Sequence, residues 1–142
     1  MVLSGSIACG ITYAWPAGLI ALPSSLRLTL TASLAVLGVL FNLLPKLAFG
    51  RAGTTVNPLR PESSRVLVTT GLHRISRNPM YLGHALLLVA WGCWLQHPAA
   101  LVGTPLYVAY VTRYQILPEE RALSTAFGAV YDAYHARVRR WL

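Results

Sequence analysis

The chain holds 142 residues, of which 55% are hydrophobic and only 11% charged, whereas soluble globular domains run at about 45–50% and about 25%. That balance excludes a two-domain soluble enzyme, a secreted disulfide scaffold and a disordered tail, and leaves one small all-α membrane domain over residues 1–142. Twelve Lys and Arg against four Asp and Glu leave a net charge of +8, which topology accounts for below without any nucleic-acid partner.

Residues 1–26, 28–45 and 78–112 contain no Asp, Glu, Lys or Arg. A helix rises 1.5 Å per residue, so about 20 apolar residues cross a hydrocarbon core of roughly 30 Å, and these windows suffice for four transmembrane helices. The first, residues 3–22, ends at the loop signal Pro23-Ser24-Ser25. It has no basic residue ahead of it, so a cleaved signal peptide is not expected. The second covers residues 28–48, with Pro45-Lys46 marking its end. Residues 50–79 change character, with five Arg, one Glu, three Pro and three Gly. They read as a structured polar loop carrying a short β-type run at Val66-Leu67-Val68-Thr69-Thr70.

The third span, residues 80–95, follows Pro79, a favoured first helical residue. Gln96-His97-Pro98 then turns the chain into the fourth, residues 99–117, so spans three and four make a tight antiparallel hairpin. After Pro118, Glu119-Glu120-Arg121 places carboxylates at a helix start, where the dipole favours them. Leu123, Phe127, Val130, Tyr134, Val138 and Trp141 then recur every three to four residues, the mark of an amphipathic helix that Gly128 can break. Cys9 and Cys93 lie in apolar windows as small buried hydrophobes, and neither a disulfide nor a metal site is implied.

With four spans, both termini, residues 46–79 and the tail fall on one side and collect 11 of the 12 basic residues, while Arg27 stands opposite. The positive-inside rule makes that side cytoplasmic. Polar groups converge there from Gly71 to Tyr81 and from Arg113 to Arg121, because antiparallel neighbours bring Tyr81 level with residues 113–117. Guanidinium, carboxylate, amide and phenol groups in one mouth suit a polar, zwitterionic cofactor. Arg74 reads as a membrane-face anchor, His84 as a hydrogen-bonded bundle residue and Asn42 as an interhelical hydrogen bond.

Thr54-Thr55-Val56-Asn57-Pro58, Leu67-Val68-Thr69-Thr70-Gly71, Arg77-Asn78-Pro79-Met80-Tyr81-Leu82-Gly83, and Glu119-Glu120 followed by Leu123, Phe127-Gly128, Tyr131 and Tyr134 resemble the isoprenylcysteine carboxyl methyltransferase and phospholipid methyltransferase superfamily. The resemblance spans residues 54–142, with cofactor-binding segments at 54–83 and 113–142. It implies an integral membrane enzyme that takes S-adenosylmethionine from the cytosol and methylates a lipophilic or lipidated acceptor. The polar loop and the C-terminal helix would cap the cofactor pocket. Cofactor contacts would map onto Leu67, Val68, His73, Asn78, Pro79, Met80, Tyr81 and Glu119. Asn78 stands where many members have His, and His73 where many have Tyr; Asn still donates and accepts hydrogen bonds.

Methyl transfer from a sulfonium is an in-line displacement without metal or covalent intermediate, so positioning supplies much of the acceleration. An anionic carboxylate acceptor would be held by Arg77 or Arg113. An amine acceptor, as in a phospholipid N-methyltransferase, would need a base such as Glu119 or Glu120. Two other readings compete: an NADPH-dependent membrane reductase of the sterol-reductase type, and a non-catalytic lipid-binding membrane protein.

Overall fold

The computed structural model describes residues 5–6, 9–10, 13–14, 22–53 and 66–142. The expected first span, 3–22, and the motif at 54–58 therefore fall largely or wholly outside the described residues. Every regular element among the described residues is helical: α1 (Ser24–Arg51), a 3₁₀ turn (Gly71–Arg74), α2 (Pro79–Leu95), α3 (Pro98–Leu101), α4 (Gly103–Val111), a π-helical turn (Thr112–Ile116), α5 (Leu117–Phe127) and α6 (Ala129–Arg137).

Several expected boundaries move. The second span is longer than 28–48, because α1 runs through Pro45 instead of stopping there; it continues for six residues beyond that proline. Its 28 residues extend about 42 Å at 1.5 Å per residue, more than a hydrocarbon core needs. Much of its apolar surface is uncovered, with Leu28 60%, Val36 59% and Leu47 55% exposed. It is long and apolar enough to cross a membrane, while Pro79–Leu95 is a shorter apolar helix. The run at Val66–Thr70 is irregular and forms no strand.

The expected 99–117 span is two α-helical pieces and a π-turn, and it continues into α5 without a break. Pro118 has no N–H to give the carbonyl four residues back. Just ahead of it the backbone widens, and the Leu117 N–H reaches Thr112 O, five residues earlier. Glu119 and Glu120 thus sit inside a continuing helix, so the dipole argument for them does not apply.

The chain divides into two units, residues 1–40 with 83–109 and residues 41–82 with 110–142. In the first, α1 and α2 run antiparallel. A Cβ on Gly38 would stand 2.9 Å from Gly83 O and 2.8 Å from Leu87 Cγ, so only glycine permits this approach, the small-residue packing usual between membrane helices. At the other end Arg27 Nη1 donates to Gln96 Oε1 (3.0 Å), its guanidinium lies 4.8 Å from the Trp94 ring, and Gln96 Nε2 donates to Leu22 O. The turn from α2 to α3 passes through Gln96 at φ 53°. His84 Nδ1 meets Tyr107 Oη at 3.2 Å across the hairpin, bearing out the expected hairpin and the bundle role of His84.

The second unit is built on Tyr131, Tyr134 and Val138, with Leu67, Leu123 and Phe127 packed against them. The tail is broken at Gly128, at φ 51°. That break changes which residues face inward: Val130, expected on the apolar face, is 67% exposed, and Tyr131 is buried in its stead.

Candidate functional site

All polar contacts of the site lie within the second unit. Helix α5 carries two neighbouring carboxylates that point to different partners, as adjacent helical residues must. Glu119 Oε1 accepts hydrogen bonds from Tyr81 Oη (2.9 Å) on α2 and from Gln115 Nε2 (3.0 Å) one turn earlier. Burial pushes the Glu119 carboxyl above the ordinary carboxylate range, the neighbouring Glu120 adds to this, and the two hydrogen bonds oppose it.

Glu120 is held by cations. Arg140 forks onto it, Nε to Oε1 (2.9 Å) and Nη2 to Oε2 (2.8 Å), and Arg77 Nη2 lies 3.1 Å from Oε1. The side chains of Arg77 and Glu120 are 7% and 12% exposed, so this pair is nearly buried. Arg77 also lies beside Tyr131, whose phenol is pushed up by burial first and by Glu120 second, with Arg77 opposing. Arg77 Nε and Nη1 are buried with no hydrogen-bond partner among the described residues.

The loop ahead of α2 is tied to the C-terminal strand of chain after α6. Arg77 N donates to Arg139 O (2.9 Å), and Ser76 Oγ and Asn78 Nδ2 both donate to Arg140 O (3.2 and 3.0 Å). Ser76 is fully buried, and its Oγ also accepts from the Asn78 N–H at 3.1 Å. Asn78 O receives the first helical N–H of α2, from Leu82. Tyr134 Oη donates to His73 O at 2.8 Å, and burial pushes that phenol up to about 12.

His73 is buried, stands edge-on to Phe49 with centroids 5.2 Å apart, and has no hydrogen-bond partner for Nδ1 among the described residues. Burial pulls its imidazole below 6.5, outweighing a backbone hydrogen bond to Thr70, so the ring is neutral at pH 7. It lines a groove of about 710 Å³ between the end of α1 and the 70–75 turn.

Of the residues expected to bind a cofactor, Tyr81 and Glu119 are in direct contact. Asn78 spends its amide on the tail, Pro79 is fully buried, and Met80 is half-buried with its carbonyl 3.5 Å from Asn42 Nδ2. The Leu67 side chain packs on the tyrosine cluster and Val68 is buried, so only their backbone is free to meet a ligand. Of the expected catalytic residues, Arg77 and Glu120 are paired with each other, while Arg113 is exposed and outside these contacts. Sequence reasoning missed Gln115, whose four-residue spacing from Glu119 was a readable signal. It also missed Ser76 and Arg140, for which no local pattern exists.

Among the described residues no cluster of His, Cys, Asp or Glu is placed to hold a metal ion. The arrangement instead offers a half-buried carboxylate beside a phenol and an amide, buried N–H donors on Arg77, and a buried ring nitrogen on His73. A carboxylate so held can meet a cation, and unpartnered guanidinium N–H groups can meet an anion.

The family model of phospholipid methyltransferases matches residues 26–130. An uncharacterized protein of Haemophilus influenzae is 40% identical over 63 residues, which span 44% of this chain and the whole of that protein. No solved structure matches the chain. The matched region takes in α1, the loop, the hairpin and both glutamates of α5, and on it the chain belongs to the phospholipid methyltransferase family, within the superfamily shared with isoprenylcysteine carboxyl methyltransferases.

Proposed function

We propose that the protein is a four-span membrane enzyme that transfers a methyl group from S-adenosylmethionine to a lipophilic acceptor at the cytoplasmic face. The family supplies methyl transfer in general terms. The observation that carries the finer reading is the Tyr81–Glu119–Gln115 cluster, a half-buried carboxylate held between two hydrogen-bond donors at the start of the hairpin.

A zwitterionic cofactor fits these residues. Glu119 offers an anion to its ammonium or sulfonium, and the unpartnered N–H groups of Arg77 suit its carboxylate. S-adenosylmethionine, when bound, supplies an electrophilic methyl group on sulfur. The protein's task is then to orient the acceptor, exclude water and keep Glu119 in place through Tyr81 and Gln115. Charge asymmetry supports the cytoplasmic orientation of the second unit, since 11 of 12 basic residues fall on that side under the four-span reading.

A carboxylate acceptor, as in the isoprenylcysteine type, would use the free Nε and Nη1 of Arg77. A specific observation favours the second reading, an amine acceptor. The raised Glu119 carboxyl is a better proton acceptor than an ordinary one, whereas both Glu120 oxygens are already occupied by guanidinium groups. The pH dependence of methylation separates them: an amine acceptor gives a rate that rises with pH, a carboxylate a flat one. Titration with S-adenosylhomocysteine and with NADPH tests the cofactor, and tighter binding of NADPH would overturn the methyl-transfer reading.

A further inference from the structure

The groove beside His73 contains none of Arg77, Asn78, Tyr81, Glu119 or Glu120; of the residues expected to meet the cofactor, it touches His73 alone. Its size, about 710 Å³, lies within the roughly 300–1,000 Å³ of ligand sites. One wall is the last turns of α1, with Leu44, Leu47 and Ala48; the other is the 70–75 turn, with Leu72 and Ile75. Leu44, Leu47 and Ile75 are 46%, 55% and 54% exposed, so the apolar walls open outward where α1 leaves its apolar stretch.

Among the described residues of the lining, Arg51, exposed in the last turn of α1, is the charged one, and no Asp or Glu joins it. Over Gly71, at φ 61°, the position a Cβ would take has open space around it, so the turn does not block the groove. The lining thus grades from aliphatic to cationic along one helix end. A bilayer component with that grading is a phospholipid of negative head-group charge. Basic pockets at the cytoplasmic ends of spans recognise such head groups.

We infer that this groove is a resident site for an anionic phospholipid, its head group on Arg51 and an acyl chain along Leu44, Leu47 and Ile75, separate from the methyl-transfer site. The inference rests on the membrane reading above but not on the methyl-transfer chemistry. An occupied groove braces the 70–75 turn against α1 through His73 and Leu72, and the same turn is held by Tyr134 through His73 O. The lipid is therefore a structural ligand of the loop that leads into Arg77 and Asn78, not a substrate.

The test is native mass spectrometry of the purified full chain in detergent with phosphatidylglycerol and, in parallel, phosphatidylcholine. Phosphatidylglycerol should be retained at one copy per chain in preference to phosphatidylcholine. Arg51→Gln should weaken phosphatidylglycerol by about tenfold, while Arg121→Gln, an equal loss of charge on α5, leaves it within about twofold. Ala48→Phe, which fills the groove without altering charge, should displace both lipids. Equal retention of the two lipids, or equal losses in Arg51→Gln and Arg121→Gln, would overturn the site in favour of diffuse surface charge. Loss of S-adenosylhomocysteine binding in Arg51→Gln, or transfer of labelled methyl to phosphatidylglycerol, would also overturn it, by making the groove part of the reaction site. Retention without any S-adenosylhomocysteine binding in the unaltered chain would leave the lipid site standing and remove the methyltransferase reading alone.

Discussion

Tyr81 donates its phenolic hydrogen to Glu119 across 2.9 Å, joining the first turn of α2 to α5 from 38 residues away in sequence. Gln115 completes the grip from the π-turn. Glu119 is a half-buried carboxylate with two neutral donors and, among the described residues, no cation paired with it, in contrast to its neighbour Glu120, which has two. The first is free to meet a positively charged ligand; the second is a clasp.

Glu119→Ala should weaken S-adenosylhomocysteine binding by tenfold or more, since a hydrogen bond to a charged group contributes about 1.5–3 kcal/mol. Tyr81→Phe should weaken it less, because the carboxylate remains. Arg74→Ala, at an exposed position, should leave affinity unchanged. Isothermal titration with the folded variants checks all three.

Glu120→Ala should destabilise the protein by about 3–5 kcal/mol, the cost of removing one partner from a buried pair, because it strands Arg77 at 7% side-chain exposure. Arg140→Ala should cost less, as its side chain is 34% exposed. Denaturant midpoints in matched detergent measure the difference, and a Glu120→Ala midpoint equal to that of Arg140→Ala would contradict the assignment of Arg77 as the buried member.

Stability should respond to pH in two opposite windows. Glu119 is raised by burial, so the folded state holds its proton longer than the unfolded chain and stability falls as pH rises from the ordinary carboxylate value through the folded one. Glu119→Gln should remove that fall and raise the melting temperature at neutral pH. His73 is lowered, so the unfolded chain takes up a proton first and stability is lost as pH drops below about 6.5. His73→Asn should flatten that limb. Thermal melts from pH 5 to 8 read both signs.

The C-terminal segment should be required for the loop. Removing residues 139–142 deletes the two carbonyls that receive Arg77 N, Ser76 Oγ and Asn78 Nδ2, leaving three donors unmet at about 1–3 kcal/mol for each that stays buried. Tyr134→Phe, which removes one hydrogen bond to His73 O, should cost about 0.5–1.5 kcal/mol. Proteolysis rates within 66–78 should rise in both, far more in the truncation.

Much of this was legible in the chain itself. Charge-free windows located α1, α2 and the hairpin, and the hairpin brought Tyr81 to the Glu119 end as its geometry requires. The misplacements share a cause. In the sequence Pro45 and Pro118 mark helix ends, yet a proline can sit inside a long apolar helix whose neighbours tolerate the lost bond, and a π-turn absorbs the second. A 3.6-residue period carried through Gly128 puts Val130 inward, and the break at Gly128 turns it out. The fork of Arg140 on Glu120 had no signature, because a basic tail next to a membrane reads as topology, and tertiary pairing across 20 residues leaves no local period.

Orientation has its own test. With Cys9 and Cys93 replaced, a cysteine at Thr125, exposed on α5, should react with an impermeant maleimide only after cells are opened. One at Ser24, at the Arg27 end of α1, should react in intact cells. The reverse pattern would invert the topology.

The most direct measurement is incubation of the purified protein with methyl-labelled S-adenosylmethionine and a total lipid extract, followed by mass spectrometry of the lipids. The expected result is labelled methyl on a lipophilic species, formed by the unaltered chain and lost in Glu119→Ala. No labelled lipid from a protein that binds S-adenosylhomocysteine, or undiminished labelling in Glu119→Ala, would contradict it.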